Sequence, residues 1–338
     1  MKKVKWGCIG CGGIADRRTL PGMMLSDIAE LVAVCDTNPE ATKRVQEKYG
    51  AKYSFTDPCE LLALEEIEAV YIASPVFCHY EQVKAAADAG KAILLEKPMG
   101  LTSDAACEMT EYCEQKGILL GVGFMMRFAA FHQKMREYVQ AGKLGKIVSM
   151  RGRLDCWYPP MQNCWRQQMA TSGGGSMMDM AIHCIDLLQY ITGLKSVEVT
   201  GFVDNQVHDY ESEDGGSFVI RMDNGAFMSV DANFNVPYSR CEIEILGTDG
   251  GLFAEGTVGQ VEGGSVRFIT ADKVTCEPTI EELKVDFGNM YTKEIDAFSK
   301  AVIENTSAPV TPQEAILNQR IVELGYLSSK DSRAYKID

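Results

Sequence analysis

Residues 4 to 15 decide how the rest of this chain is interpreted, and they read Val4-Lys5-Trp6-Gly7-Cys8-Ile9-Gly10-Cys11-Gly12-Gly13-Ile14-Ala15. An apolar run leads into the form G-x-G-x-x-A, whose first Gly permits a tight turn and whose second lets the backbone approach a ligand closely. The closing residue, Ala15, is small enough for the next helix to pack against the strand. Free N–H groups at that helix start favour a bound pyrophosphate.

A second apolar run, residues 28–35, ends at Asp36, at about the 20-residue spacing expected of a dinucleotide-binding unit. A carboxylate there accepts both ribose hydroxyls of an adenosine and repels a 2′-phosphate, so the pattern predicts NAD. The alternative is an ordinary β-α-β unit with a glycine-rich turn and a solvated Asp36. The cofactor contacts predicted from these two features are Gly10, Gly12, Gly13, Ile14 and Asp36.

Composition limits the function classes. The chain has 338 residues, enough for two domains, and its net charge of −14 argues against nucleic acid or an anionic membrane as a partner. No signal peptide is visible before the first strand, and no apolar run approaches the roughly 20 residues that a membrane-spanning helix needs. We therefore expect a cytoplasmic protein.

The twelve cysteines are scattered along the chain, and a cytosolic setting argues against structural disulfides. The one C-x-x-C pair, Cys8 and Cys11, suggests either a redox pair or half of a metal site, or else that Cys11 simply fills the free position of the glycine turn. No second C-x-x-C completes a zinc site, so we favour the last interpretation and predict no metal.

Strand and helix patterns alternate over the first 124 residues, which predicts a doubly wound parallel sheet with right-handed crossovers. After Arg127 the pattern changes to a helix, a strand near 146–156, a polar aromatic loop and a helix over 176–191. Consecutive strands from Ser196 to Thr275 then predict a large, mainly antiparallel, open-faced sheet. We expect a cofactor domain over residues 1–124 and a substrate and oligomerisation domain over 125–338, with a late helix packing back on the first.

Glu96-Lys97-Pro98 follows a predicted parallel strand, and ligands of open α/β sheets bind outside the carboxyl ends of the strands. The residue before a proline is held out of the helical region, so Lys97 should be extended and directed at the cofactor. The alternative is a surface lysine in a turn.

Asp179 and His183 are four residues apart on a predicted helix and should share a face. A carboxylate beside an imidazole fixes its tautomer and stabilises the imidazolium, which suits a general acid or base. The alternative is a satisfied structural pair. A metal site is less favoured because no third ligand lies at a suitable spacing.

Taken together, the chain resembles the Gfo/Idh/MocA family of glucose–fructose oxidoreductases and inositol dehydrogenases. The segments that carry the resemblance are Gly10–Ala15, Ala73-Ser74-Pro75 with His79-Tyr80-Glu81, Glu96-Lys97-Pro98, and Trp165-Arg166 followed by a triple glycine, Asp179 and His183. The resemblance implies a Rossmann domain, an α/β domain with an open-faced sheet, NAD or NADP, and a sugar or polyol substrate.

The family's catalytic set matches Lys97, Asp179 and His183. Further positions that commonly line the cofactor or substrate match Ser74, Pro75, Glu96, Arg127, Trp165 and Arg166. Two departures, Val76 and the pair Met125-Met126 where the family often has Asn and Asn-Tyr, leave the substrate open rather than the chemistry. His79 matches a family position too, and we expect it to order a helix start.

The loop from Asp155 to Arg166 supplies aromatic and polar groups suited to a sugar ring and its hydroxyls, among them Asp155, Trp157 and Tyr158. No basic cluster marks a phosphate pocket, so we expect an unphosphorylated sugar, glycoside or polyol, oxidised at C3 of a glucose-type ring in preference to inositol. Alternatives are an inositol dehydrogenase, a 1,5-anhydrofructose- or xylose-type reductase-dehydrogenase, an NAD-dependent glycoside hydrolase, and a non-catalytic sensor.

Assembly is suggested by the late strands, residues 226–234 and 241–246, whose apolar residues alternate with small or charged ones. A sheet with helices on one face leaves the other face open. The resemblance implies that this face pairs with another subunit, as a homodimer or homotetramer.

Overall fold

The computed structural model describes residues 2–337, which form two compact units. The first unit contains the chain up to Met125 together with Asn289–Leu317. The second contains Met126–Gly288 and the residues from Asn318 onward. The division beside residue 124 is where the sequence pattern changes, and residues 289–317 join the first unit.

The first unit contains a six-stranded parallel sheet with the strand order β3-β2-β1-β4-β5-β6, which confirms the predicted doubly wound fold. Its order reverses direction at β1, where ligands of such sheets bind. Its elements are β1 (Val4–Ile9), α1 (Leu20–Met23), β2 (Ala29–Cys35), α2 (Pro39–Tyr49), β3 (Tyr53–Phe55), α3 (Pro58–Leu62), β4 (Ala69–Ile72), α4 (His79–Asp88), β5 (Ala92–Glu96), α5 (Ser103–Lys116) and β6 (Leu120–Gly123).

The second unit contains a nine-stranded sheet in the order β14-β13-β12-β11-β7-β10-β9-β8-β15, in which β7 and β10 are parallel and the other pairs antiparallel. The predicted mainly antiparallel sheet is thus confirmed. Its elements up to residue 282 are α6 (Ala130–Gln140), β7 (Ile147–Asp155), α7 (Met169–Ser172), α8 (Ile182–Thr192), β8 (Ser196–Asp204), β9 (Gly215–Met222), β10 (Phe227–Asn233), β11 (Ile243–Gly247), β12 (Gly251–Glu255), β13 (Ser265–Ala271) and β14 (Pro278–Glu282).

The remaining elements are α9 (Met290–Glu304), α10 (Pro312–Asp331) and β15 (Tyr335–Lys336). Helix α9 belongs to the first unit, where the Trp6 indole donates to Ser299 Oγ at 3.1 Å and the Trp6 and Phe298 rings lie 5.5 Å apart. These fully buried side chains join α9 to the core beneath β1. Within residues 2–337, no helix is both long and apolar enough to cross a membrane.

The two faces of the second sheet differ in what lies against them. A Cβ on Gly152 would lie 2.8 Å from Cys184 Cβ, so α8 packs tightly on that face of β7. Because successive side chains of a strand point to opposite faces, Arg151 and Arg153 project from the other side, where both bind the Asp231 carboxylate. One face is therefore helix-covered, and we call the other the open face.

Candidate active site

The glycine turn of the first unit has space for a ligand. Gly10 has φ +93°, and a side chain there would lie 2.6 Å from the Ser74 amide nitrogen, so glycine is required. A Cβ on Gly12 or Gly13 would meet no atom of the described residues within 4 Å. Ala15 is fully buried and begins a π-helical turn, Ala15–Thr19.

Asp36 closes the other side of this turn. Its carboxylate accepts hydrogen bonds from the Cys11 amide at 2.8 Å and from the Asn38 amide at 2.9 Å, which hold it at the end of β2. An open helix start for the pyrophosphate and a carboxylate for the ribose hydroxyls together fit an NAD molecule.

His79 joins the loops that follow β4 and β5. Its Nε2 lies 3.0 Å from the Ser74 carbonyl oxygen and its Nδ1 lies 3.1 Å from the Pro98 carbonyl oxygen. The ring is buried, and burial lowers its pKa. Lys97, half-buried and linked to Pro98 by a cis peptide bond, lies in the loop that this ring contacts.

Glu96 is held by β4. The Tyr71 hydroxyl donates to its Oε1 at 2.5 Å and also lies 2.9 Å from Thr19 Oγ1. Burial, together with the Glu96 carboxylate, raises the pKa of Tyr71 well above its usual value, so the phenol stays a donor. The predicted contacts of Ser74, Pro75, Glu96 and Lys97 with the cofactor stay predictions.

In the second unit, Asp179 and His183 occupy two different helical turns. Asp179 belongs to a π-helical turn, Met177–Ala181, and His183 lies in the first turn of α8. A π turn is wider than an α turn, and the shared face predicted for Asp179 and His183 stays a prediction. Such turns occur frequently at functional sites. His183 is buried, with 6 % of its surface exposed.

Asp179 lies beside an arginine from the aromatic loop. Arg166 Nε is 3.8 Å from Asp179 Oδ1, and the guanidinium stacks 4.3 Å above the Trp165 ring. Burial acts to lower the pKa of Arg166, but the Asp179 carboxylate opposes it and the net shift is upward. Arg166 therefore stays a cation and forms an ion pair with the Asp179 carboxylate.

Tyr158 and Cys156 complete this neighbourhood. Burial, followed by the Asp179 carboxylate, raises the pKa of Cys156 to about 12. The Tyr158 hydroxyl lies 3.1 Å from Cys164 Sγ, and burial raises its pKa. The structure thus brings together Tyr158, Trp165, Arg166 and Asp179, a set that we call the Arg166 cluster.

The hydrogen bond of Asp155 and the ring contact of Trp157 are with residues outside the Arg166 cluster. Asp155 has the same parity along β7 as Arg151 and Arg153, so it projects from the open face, where the Asn233 amide donates to its carboxylate at 2.6 Å. There it lines a polar cavity of about 460 Å³. Trp157 instead packs edge-on against His208, with ring centroids 4.9 Å apart.

Arg127 is engaged within the second unit. Its Nε and Nη2 donate to the Asp186 carboxylate at 2.9 and 2.5 Å, and the pair is almost completely buried. The Asn318 amide donates to the same carboxylate at 2.8 Å. Asp186 lies one turn after His183, so this buried group anchors α8. Sequence reasoning missed Asp186 because its partners come from residues 59 and 132 positions away.

Two family models match the chain. The model described as "Oxidoreductase family, NAD-binding Rossmann fold" matches residues 4–124, and the "GFO/IDH/MocA C-terminal domain" model matches residues 132–253. The myo-inositol 2-dehydrogenase of Thermotoga maritima is 30 % identical over 254 residues, 74 % of each chain. The chain belongs to the Gfo/Idh/MocA family of oxidoreductases. It is an oxidoreductase whose first domain binds NAD, as the glycine turn and Asp36 predicted.

Other relatives agree with this membership. The D-glucoside 3-dehydrogenase of Escherichia coli is 32 % identical over 192 residues, 56 % of this chain and 54 % of its own. The crystal structure of levoglucosan dehydrogenase with NADH and levoglucosan superposes with a TM-score of 0.88 at 22 % identity, covering 99 % of this chain and 100 % of that one. The latter likeness shows the shared fold. In the described part of the chain, no group of three or more His, Cys, Asp or Glu side chains could hold a metal ion.

Proposed function

We propose that this member of the family is an NAD-dependent dehydrogenase of a secondary hydroxyl on an unphosphorylated sugar, glycoside or polyol. The observation that carries the proposal is the Arg166 cluster, in which an aromatic face, a phenol, a guanidinium and a carboxylate lie at the start of the helix that bears His183. Aromatic faces cover the apolar side of a sugar ring, and the polar groups bind its hydroxyls. The named activities of the relatives support the same substrate class.

In the proposed reaction, His183 accepts the proton of the reacting hydroxyl as general base. The Lys97 ammonium donates a hydrogen bond to the same oxygen and stabilises the negative charge that develops on it. Asp179, oriented by Arg166, binds a neighbouring hydroxyl and sets the orientation of the imidazole. NAD, when bound, supplies the hydride acceptor or donor.

The reacting carbon that we favour is C3 of a glucose-type ring. The D-glucoside 3-dehydrogenase of Escherichia coli, 32 % identical over 192 residues, supports this choice, and the myo-inositol 2-dehydrogenase of Thermotoga maritima, 30 % identical over 254 residues, supports inositol as the alternative. The sequence also shows no basic cluster near the predicted substrate loop that would select a phosphorylated sugar.

A substrate panel tests the proposal. The enzyme is incubated with NAD and, in separate reactions, glucose, methyl glucosides, xylose and myo-inositol, and the new carbonyl is located by NMR. Reduction is tested with NADH and 1,5-anhydrofructose. We expect a 3-keto product from a glucoside. A product oxidised at C1 only, turnover of inositol alone, or activity confined to a non-sugar diol would contradict the C3 assignment. Release of an aglycone without net NADH would identify a glycoside hydrolase instead.

We further propose that the open face pairs with a second copy of the chain. Nine strands spaced about 4.8 Å apart, each about five residues of 3.3 Å, present roughly 700 Å². That area is near the ~800 Å² per partner of a standard interface. The face carries the partly exposed Val219 and Phe227. It also carries both positive and negative side chains, which form ion pairs such as Arg151–Asp231 and Arg221–Glu198.

Light scattering at micromolar concentration tests the pairing. We expect a dimer or tetramer for the wild type and a monomer for Val219→Asp, because a carboxylate would then be buried at the interface. Val274→Asp is the control, since Val274 is exposed in the turn between β13 and β14. A monomeric wild type, or equal dissociation of both variants, would contradict the proposal.

A further inference from the structure

The first turn of the helix that carries Asp179 is held by one buried carboxylate. Glu213 Oε2 accepts a hydrogen bond from the Gly175 amide at 2.7 Å, and its Oε1 accepts one from the Met177 amide at 2.9 Å. The Tyr326 hydroxyl donates to the same Oε1 at 2.8 Å. All three groups around the carboxylate are donors, and a helix N-terminus favours an anion. Glu213 has 7 % of its surface exposed.

The triple glycine is shaped by this contact. A Cβ on Gly175 would lie 1.9 Å from the Glu213 carbonyl oxygen, and one on Gly174 would lie 2.2 Å from the Tyr326 hydroxyl. The same carbonyl of Glu213 accepts from the Ser176 amide at 3.2 Å. Glycine is therefore required for close approach of the segment around Glu213, beyond any flexibility it gives the loop.

The segment before Glu213 also holds the arginine that faces Asp179. The Ser212 hydroxyl donates to the Arg166 carbonyl oxygen at 3.1 Å, and the Ser212 side chain is fully buried. Two consecutive residues thus fix the two partners of the Arg166–Asp179 ion pair, one through the arginine's own backbone and one through the turn in which Asp179 lies. No local motif creates these contacts, because residues 212 and 213 lie more than thirty positions beyond Asp179 in the sequence.

We propose that Glu213 is a positioning residue, whose carboxylate fixes the π-helical turn so that Asp179 faces Arg166 and the substrate; the inference rests on the proposed roles of Asp179 and His183. Glu213 touches neither substrate nor cofactor in this scheme. It acts by holding the backbone amides from which the orientation of Asp179 follows.

The test compares Glu213→Gln with Glu211→Gln. The amide of the first variant presents a donor to groups that are all donors. Glu211 is exposed, and its carboxylate accepts from the Met169 amide and from neither amide that Glu213 holds. For Glu213→Gln we expect kcat on the substrate that the panel identifies to fall about 10- to 100-fold, because the Asp179 carboxylate would be misplaced by about 1 Å. The Kd for NADH should be unchanged. Amide hydrogen exchange over residues 173–182 should accelerate. Glu211→Gln should match the wild type in all three measurements.

Each outcome decides the proposal. Wild-type exchange in Glu213→Gln, or faster exchange with unchanged kcat, would overturn it. A parallel loss of NADH affinity in a folded Glu213→Gln variant would overturn it as well, since the effect would then extend beyond the π-helical turn. If Glu213→Gln does not fold, Tyr326→Phe takes its place, because it removes one of the three donors and should show a smaller change in the same direction.

A failure of the proposed function is recognised separately. If the wild type converts no sugar or polyol, the pKa of His183 is followed by NMR on protein labelled with ¹⁵N-histidine, which needs no substrate. Positioning by Glu213 then requires that Glu213→Gln shift the pKa of His183 in the direction that Asp179→Asn shifts it, while Glu211→Gln leaves it unchanged. An unshifted pKa in Glu213→Gln would overturn the inference.

Discussion

Two glycine-rich turns in this protein look alike in sequence and differ in what their helix starts bind. Gly10–Ala15 and Gly173–Gly175 each lead into a π-helical turn. Above Gly12 and Gly13 there is open space, and the helix start remains available to a pyrophosphate. At Gly175 the same kind of helix start already holds the carboxylate of Glu213. A glycine turn therefore indicates a site for a bound anion only where no side chain of the protein already occupies the space beside the helix start.

The comparison also separates the tasks of the two units. In the proposed function, the open turn binds the negatively charged cofactor, and the turn held by Glu213 positions groups that act on the substrate.

The largest expected effect is a loss of kcat that leaves NADH binding intact. His183→Ala and Lys97→Ala should each lower kcat by about 10²–10⁴-fold, because each removes a group that acts on the reacting oxygen. NADH should still bind, since the open glycine turn and Asp36 are intact. Steady-state kinetics and NADH fluorescence titration measure the two quantities, with the exposed Lys43→Ala as control. Near wild-type turnover in Lys97→Ala would mean that this lysine is structural only.

The next effect is on the melting temperature, and it tests whether the turn at Gly175 is filled while the turn at Gly12 is open. Gly175→Ala should destabilise the protein by about 3 kcal/mol, because the new methyl group would overlap the Glu213 carbonyl oxygen. The melting temperature should fall by roughly 6 °C or more. Gly12→Ala should keep the melting temperature and lose NAD affinity, since its methyl group enters the ligand's space. Calorimetry on both variants decides this, and equal melting temperatures would remove the distinction.

Cofactor choice tests the charge at the open turn. The wild type should prefer NAD over NADP, because Asp36 lies where the 2′-phosphate would be, and Asp36→Asn should reduce that preference by about tenfold. The variant removes the charge and keeps one side-chain oxygen, so one of the two amides, that of Cys11 or that of Asn38, loses its acceptor. kcat/KM for both cofactors is measured in each protein. Equal or better efficiency with NADP in the wild type would overturn the assignment.

The smallest expected effect is on the pH dependence of the melting temperature. It concerns Glu294, a buried carboxyl that, unlike Glu213, accepts no hydrogen bond from the helix-start amides that the structure describes. Glu294 on α9 is buried, and its Oε1 has no hydrogen-bond partner among residues 2–337. Burial, and then the nearby Glu96 carboxylate, raise its pKa well above the usual value; Tyr71 and Tyr291 also lie within its electrostatic reach. The folded state therefore keeps a proton that the unfolded state releases, and stability falls as pH rises above the unfolded pKa.

Glu294→Gln removes that titration. Its melting temperature should exceed that of the wild type by about 2 °C or more at pH 8, and the difference should shrink toward pH 4.5. Glu304→Gln on the exposed end of the same helix is the control. A difference that stays constant with pH would contradict the assignment.

Much of the fold followed from local patterns. The helices Pro39–Tyr49 and Ser103–Lys116 and the strand Ala92–Glu96 belong to the strand and helix alternation that the sequence predicted over the first 124 residues. Thr102 and Asn38 cap their helices with side-chain oxygens, a signal that three or four residues carry by themselves. By contrast, the π-helical turns carry no such signal, since their hydrogen bonds depend on neighbouring segments.

The site divides in the same way. The glycine turn, Asp36, Lys97, Asp179 and His183 could be predicted because short motifs carry them, and their roles stay predictions. Asp155 was expected to bind the substrate, and strand alternation places its side chain on the open face; its predicted role stays a prediction. Arg127 was expected at the cofactor or substrate, and the structure shows its buried pair with Asp186.

The sequence by itself therefore determined the family, the two kinds of sheet and the residues whose chemistry is written in contiguous motifs. Only the tertiary structure decided which of these residues meet. It set Arg166 against Asp179, placed Asp155 beside Asn233 on the open face, and brought Glu213 to the turn in which Asp179 lies. The physical reason is that hydrogen bonds between distant segments depend on register and packing, which no single segment encodes.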